Sequence, residues 1–117
     1  MLRSIKSPQR KVRLLALRVE GSTGTVSLEG LDANQCSVTD NGTGDYTINF
    51  NTAFAEAPHV SAAAEATGIM FHFSSITASS VRIICKLVDQ DATYAAPAAA
   101  EADVQLVVIG HDITDNY

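Results

Sequence analysis

Apolar residues recur at every second position through most of this chain, and no window of 11 residues carries a convincing helical period with caps. The clearest example is Ser80–Val88. Val81, Ile83, Cys85 and Leu87 point one way, and Arg82, Ile84 and Lys86 the other. Asp45–Phe50 alternates in the same manner, with Tyr46, Ile48 and Phe50 on the inner side. Further strands are predicted over Val12–Glu20, Thr25–Glu29, Gln35–Asp40, His59–Ala66, Ile69–Ser74 and Val104–Ile109. Clusters of turn residues separate them: Gly21 to Gly24, Gly30 to Asn34, and Asn41-Gly42-Thr43-Gly44. The last cluster joins two alternating runs, a strong hairpin signal because Asn and Gly tolerate positive φ. The pairing sets Cys36 and Val38 on the face of Tyr46, Ile48 and Phe50. The pattern predicts an all-β, antiparallel β-sandwich of about six to eight strands, with Phe50, Phe54, Ile83, Leu87 and Leu106 in the core.

The stretch from Gly42 to Val60, GTGDYTINFNTAFAEAPHV, sets two phenylalanines four residues apart and a proline four residues later. Phe50 ends a strand. Asn51–Ala57 is expected to cross from one sheet to the other, with Phe54 closing the end of the sandwich. Pro58 donates no ladder hydrogen bond, so it belongs at the start of the next strand or on an edge.

Charge changes the picture at the N-terminus. Arg3, Lys6, Arg10, Lys11, Arg13 and Arg18 are the only charged residues among the first 18. The remaining 99 residues carry Arg82 and Lys86 against 13 acids. The chain reads as a basic arm, residues 1–18, on an acidic sandwich, residues 19–117. Leu2 and Ile5 within the arm argue against a purely solvated tail, so the arm is expected to dock on an acidic assembly surface through Leu2, Arg3, Ile5, Lys6, Arg10, Lys11 and Arg13. It has no aromatic residue for base stacking, and the acidic body would repel phosphate, so nucleic acid is not the expected partner. At 117 residues with 46% hydrophobic content, the chain suits a single domain. No apolar run reaches the roughly 20 residues of a membrane span, and Leu14–Leu17 is too short for a signal peptide, so the chain is expected to stay in the cytoplasm or to be assembled there.

Three segments, GDYTINFNTAFAEAPHV, SSITASSVRI and ADVQLVVIG, together resemble the H-type lectin domain over roughly Gln35 to His111. The turn GTGDYTINF also resembles segments in tail fibres and small virion proteins of marine tailed bacteriophages. The resemblance implies an antiparallel sandwich that forms homotrimers. It carries over no sugar-binding residue: the chain has no Trp, and only Tyr94 and Tyr117 lie outside the hairpin as tyrosines. Ile84, an apolar residue between Arg82 and Lys86 on an otherwise charged strand face, marks those three as the expected subunit contact, with Asp89 of a neighbouring chain as an ionic partner.

Candidate chemistry is sparse. His59, His72 and His111 are scattered and lack companions at ligand spacing. His111-Asp112 reads as a polar strand end and His72 as the outward residue between Phe71 and Phe73. Cys36 and Cys85 read as two buried free thiols. No nucleophile motif or phosphate-cradling glycine set is present. The expectation is no catalytic residue, cofactor or metal. The expected function is a bacteriophage virion structural protein, a trimeric capsid decoration or head-fibre-like protein that docks by its arm on the major capsid or another virion protein. The alternative is a lectin-like adhesin or tail-fibre tip whose partner is a bacterial surface glycan.

Overall fold

The computed structural model describes residues 9–21, 26–65, 68–87 and 100–114. Among the described residues eight strands follow one another: β1 (Gln9–Glu20), β2 (Ser27–Glu29), β3 (Cys36–Gly42), β4 (Asp45–Phe50), β5 (His59–Ala64), β6 (Ile69–Ile76), β7 (Ser80–Leu87) and β8 (Asp103–Thr114). A single 3-10 turn, Ala33–Gln35, precedes β3. The strands form two four-stranded sheets, ordered β2-β1-β8-β5 and β3-β4-β7-β6, and every pairing is antiparallel. The two sheets pack face to face as a sandwich.

The period-two pattern builds the core directly. From the first sheet come Leu15, Leu17, Val19, Val104, Leu106 and Val108; from the second, Tyr46, Ile48, Phe50, Val81, Ile83 and Cys85, all buried. Both cysteines are buried and unbridged. Leu87 departs from the expectation. It is 49% exposed, because the β4–β7 register ends at Asp45↔Ile84 and no β4 residue reaches alongside it.

The hairpin between β3 and β4 forms, with a register shift between Asp40 and Gly42. Its two-residue tip is Thr43-Gly44 rather than Asn41-Gly42, since Gly42 already pairs with Asp45. Gly44 has φ of 66°, and a Cβ there would stand 2.5 Å from the Ala100 carbonyl oxygen and 2.6 Å from that of Cys85. Only glycine suits both demands.

The crossing between β4 and β5 has the expected form. Phe54 is buried and meets Phe50 edge to face, 5.1 Å between ring centroids. Its ring lies over Gly110: a Cβ at 110 would fall 2.5 Å from Phe54 Cδ1 and 3.0 Å from Pro58 Cβ. Pro58 sits just before β5, an edge strand.

The arm boundary lies earlier than the charge pattern places it. Gln9–Arg18 belongs to β1, which pairs with β8 at 12 consecutive positions from Gln9↔Thr114 to Glu20↔Asp103. Leu15 and Leu17 are core residues, so burial ties this basic stretch into the domain. Leu2, Arg3, Ile5 and Lys6 lie outside the described residues.

Candidate interaction surface

The outer faces of the two sheets differ in kind. On the second sheet, polar side chains bond to one another across strands. Asn49 Nδ2 donates to Thr39 Oγ1 at 3.0 Å, and Asn41 Nδ2 to Thr47 Oγ1 at 2.7 Å. Arg82 grips Asp45 with two bonds, Nε to Oδ1 at 2.8 Å and Nη2 to Oδ2 at 2.6 Å. That bidentate pair holds the Asp45 carboxyl below its ordinary range. His72 is exposed on the same face.

Arg82, Ile84 and Lys86, the expected subunit contact, all lie here. Arg82 is committed within its own chain, and Ile84 is half-buried between the register positions of Asp45 and His72. Lys86 stands opposite Met70. Asp89 lies outside the described residues. The structure therefore gives Arg82 an intramolecular partner where the sequence suggested an intermolecular one.

The outer face of the first sheet carries an apolar row along β1 and β8, with Gln105, Ser61 and His59 among its polar residues. Leu14, 51% exposed, lies opposite Ile109, 42% exposed. Ala16 lies opposite Val107, and Val12 extends the row toward the N-terminal end of β1. Leu31, in the turn after β2, flanks this patch and is exposed as well. The sequence held a signal for this surface. Leu14 to Leu17 and Leu106 to Ile109 are unbroken apolar runs, and an apolar run in a strand supplies both faces, not one.

An ion cluster closes one end of the patch. Arg18 pairs with Glu65, with Glu20 at 3.1 Å and with Asp103 at 3.5 Å. Burial and the charge of Glu29, on the neighbouring strand, raise the Glu20 pKa above its ordinary value.

At the other end, β1 and β8 run on past β5, whose last pairing is His59↔Ile109. Here the docking residues expected from sequence separate. Lys11 is exposed, opposite Asp112 in the register. Arg10 stands opposite Ile113. Arg13 is turned onto its own domain. Its guanidinium carbon lies 3.9 Å from the Phe54 ring centroid. Nη1 donates to the Thr52 carbonyl at 2.8 Å; Nη2 donates to the Ala53 carbonyl at 2.9 Å and to Asp112 Oδ1 at 2.8 Å. Arg13 thus clamps the sheet crossing and is not displayed for a partner.

The remaining titratable groups serve the fold. Tyr46 Oη donates to Glu101 Oε2 at 2.8 Å, while Gly44 N–H donates to Glu101 Oε1 at 2.9 Å. Burial and this carboxylate push the Tyr46 phenol up. Burial, with Glu101 next, moves the Cys85 thiol to about 11, far from the range of a reactive thiolate. His111 Nε2 bonds Glu56 Oε1 at 2.8 Å. His59 and His72 lie on the outer faces of opposite sheets and cannot converge. Among the described residues, no group of three or more His, Cys, Asp or Glu is placed to hold a metal ion. The surface that stands out is an apolar stripe between an ion cluster and a basic strand end. No protein-family model matches the sequence, and no curated protein or solved structure matches it either.

Proposed function

We propose that this protein is a non-enzymatic structural component of a bacteriophage virion, a homotrimeric capsid-decoration or head-fibre-like protein. The observation that carries the reading is the contrast between the two outer faces. Leu14, Val107 and Ile109 leave one sheet with an apolar stripe in water, whereas on the other sheet Met70 is the exposed large apolar side chain of the outer face and Asn41, Asp45, Asn49 and Arg82 are tied to neighbouring strands. A contiguous apolar stripe on a small acidic domain is a docking surface in search of a partner. In this reading the outer face of β1, β8 and β5 packs against sister chains, and the basic N-terminal end of β1 with the residues before it meets an acidic capsid surface. The phage-like turn GTGDYTINF and the resemblance to a trimeric lectin domain support the setting and the stoichiometry.

Light scattering on the purified chain tests self-association, and co-sedimentation with phage heads tests docking. The expectation is a trimer that becomes a folded monomer when Val107 and Ile109 are both changed to Glu. A wild-type monomer at micromolar concentration refutes the trimer. Capture of a surface glycan by a chain that ignores phage heads refutes decoration and assigns an adhesin.

A further inference from the structure

The backbone of β1 is open along one side. Ala16 reveals which side its groups face: its N–H donates to Asp32 Oδ2 at 2.7 Å, and its carbonyl accepts from the Asp32 N–H at 3.0 Å. Asp32 lies on the β2 side, away from β8. In an antiparallel ladder the backbone groups alternate sides with a period of two residues. The N–H and C=O of Val12 and Leu14 therefore point the same way as those of Ala16. Yet β2 pairs with β1 only from Arg18 to Glu20. Among the described residues, nothing pairs with β1 from Gln9 to Leu15 on that side.

Unpaired edges invite strand addition, and proteins blunt the edges they do not use. Both edges of the second sheet are interrupted. β3 is shifted in register between Asp40 and Gly42, and β6 between Phe73 and Ser75. The open stretch of β1 carries Lys11 and Arg13, but Arg13 is drawn onto Phe54 and Asp112 and no register shift interrupts the strand. Its pairing with β8 is continuous, and it carries exposed Val12 and Leu14 beside the open backbone.

We propose that this edge accepts an extended segment of a partner protein in which acidic and apolar residues alternate. Charge selects that occupant. The open stretch Gln9–Leu15 is centred on Val12, so two copies paired about a two-fold axis would set Lys11 against Arg13, and like charges directly opposite destabilise a ladder. The chain's first eight residues bring Arg3 and Lys6 and no acid, the same conflict. An acidic segment relieves it. Asp112, opposite Lys11, is already bonded to Arg13, and Lys11 makes no ion pair among the described residues. In the added strand, acids would stand on the Lys11 face and apolar residues beside Val12 and Leu14, as side chains alternate in β-augmentation. This deepens the assembly reading by naming the kind of segment a particle protein would present, and rests on it only for the identity of that protein.

The probe is an acetylated, amidated octapeptide of alternating valine and glutamate, titrated into the isotope-labelled full chain. Its control has lysine in place of glutamate. Amide shifts should change at Val12 and Leu14, whose hydrogen exchange should slow, and the lysine peptide should not bind. Val12→Pro removes a donor on the open side and none from the β8 ladder. It should keep the wild-type unfolding curve and weaken the complex by about tenfold or more. Lys11→Glu should favour the lysine peptide instead, and decides the matter if Val12→Pro fails to fold. Equal binding of both peptides, shifts centred on another strand, or Val12 and Leu14 amides already protected in the free chain would each overturn the proposal. A chain that captures the peptide but neither trimerises nor binds particles retains this inference and refutes the virion reading.

Discussion

Phe54 gives the sharpest test of how the sandwich is held together. It belongs to no strand, yet it is only 4% exposed and touches three separate elements. Its ring meets Phe50 of β4 edge to face, lies over Gly110 of β8, and carries the Arg13 guanidinium of β1 on its face. Phe54→Ala removes all three contacts. Truncation of a buried phenylalanine costs about 3–5 kcal/mol. The value here should fall near 3, because the crossing 51–58 lies at the end of the sandwich and can partly collapse. For 117 residues, the unfolding entropy is roughly 0.25 kcal/mol per degree, so Tm should drop by about 12 °C. Phe54→Leu keeps most of the apolar volume and should cost about 1–1.5 kcal/mol. The Arg13 contact can be isolated in a double-mutant cycle of Phe54→Leu with Arg13→Met, with an expected coupling of about 0.5–2 kcal/mol. Urea unfolding followed by circular dichroism reads each value. Two results would refute these roles: a cost of less than about 1 kcal/mol for Phe54→Ala, or strict additivity of the two substitutions in the cycle. The first result would mean that the crossing is held by its backbone bonds, such as Phe54 N–H to the Ala78 carbonyl at 2.8 Å, and not by the ring; the second, that the Arg13 contact adds nothing to the packing against Phe50 and Gly110.

Tyr46→Phe should cost about 1–2 kcal/mol in the same assay, because it strips Glu101 and the Ala102 N–H of their hydroxyl partner; unchanged stability would show that this link between β4 and the start of β8 is idle. Cys36 and Cys85, both buried with pKa values raised by burial, should resist a thiol reagent in native buffer at pH 8 and react fully in denaturant, whereas rapid native labelling would place a thiol at the surface. Asp45 has a folded pKa below its unfolded value, so its contribution is present above about pH 4 and lost as pH falls through the lower folded value. Asp45→Asn should therefore lower the urea midpoint at pH 7 and converge with wild type near pH 2; a gap that persists in acid would mean that the loss is not ionic.

Secondary structure was legible in this sequence because a strand buried on one face writes its period into the chain. Tyr46, Ile48 and Phe50, and Val81, Ile83 and Cys85, needed no partner to be recognised as inward. The crossing from Phe50 through Phe54 to Pro58 was legible for a related reason: proline cannot join a ladder, and an isolated aromatic between strands has to be buried somewhere. Two things were decided by tertiary structure alone. The first is where the domain begins. Arg10, Lys11 and Arg13 read as an arm by charge, but the length of β8 and the burial of Leu15 and Leu17 draw them into a strand of the first sheet, and Arg13 finds Phe54 and Asp112 about 40 and 99 residues away. The second is which face is left open. Ile84 looked like the exposed apolar residue, while the runs around Leu14 and Val107 were read as strands with no outer face marked for contact. Strand order determined otherwise. β1 and β8 sit side by side in one sheet of a two-layer fold, so each buries one face and leaves the other in water, and the two apolar outer rows line up. A local pattern records how many faces of a strand are apolar; only the packing of the sheets determines how many of those faces are covered.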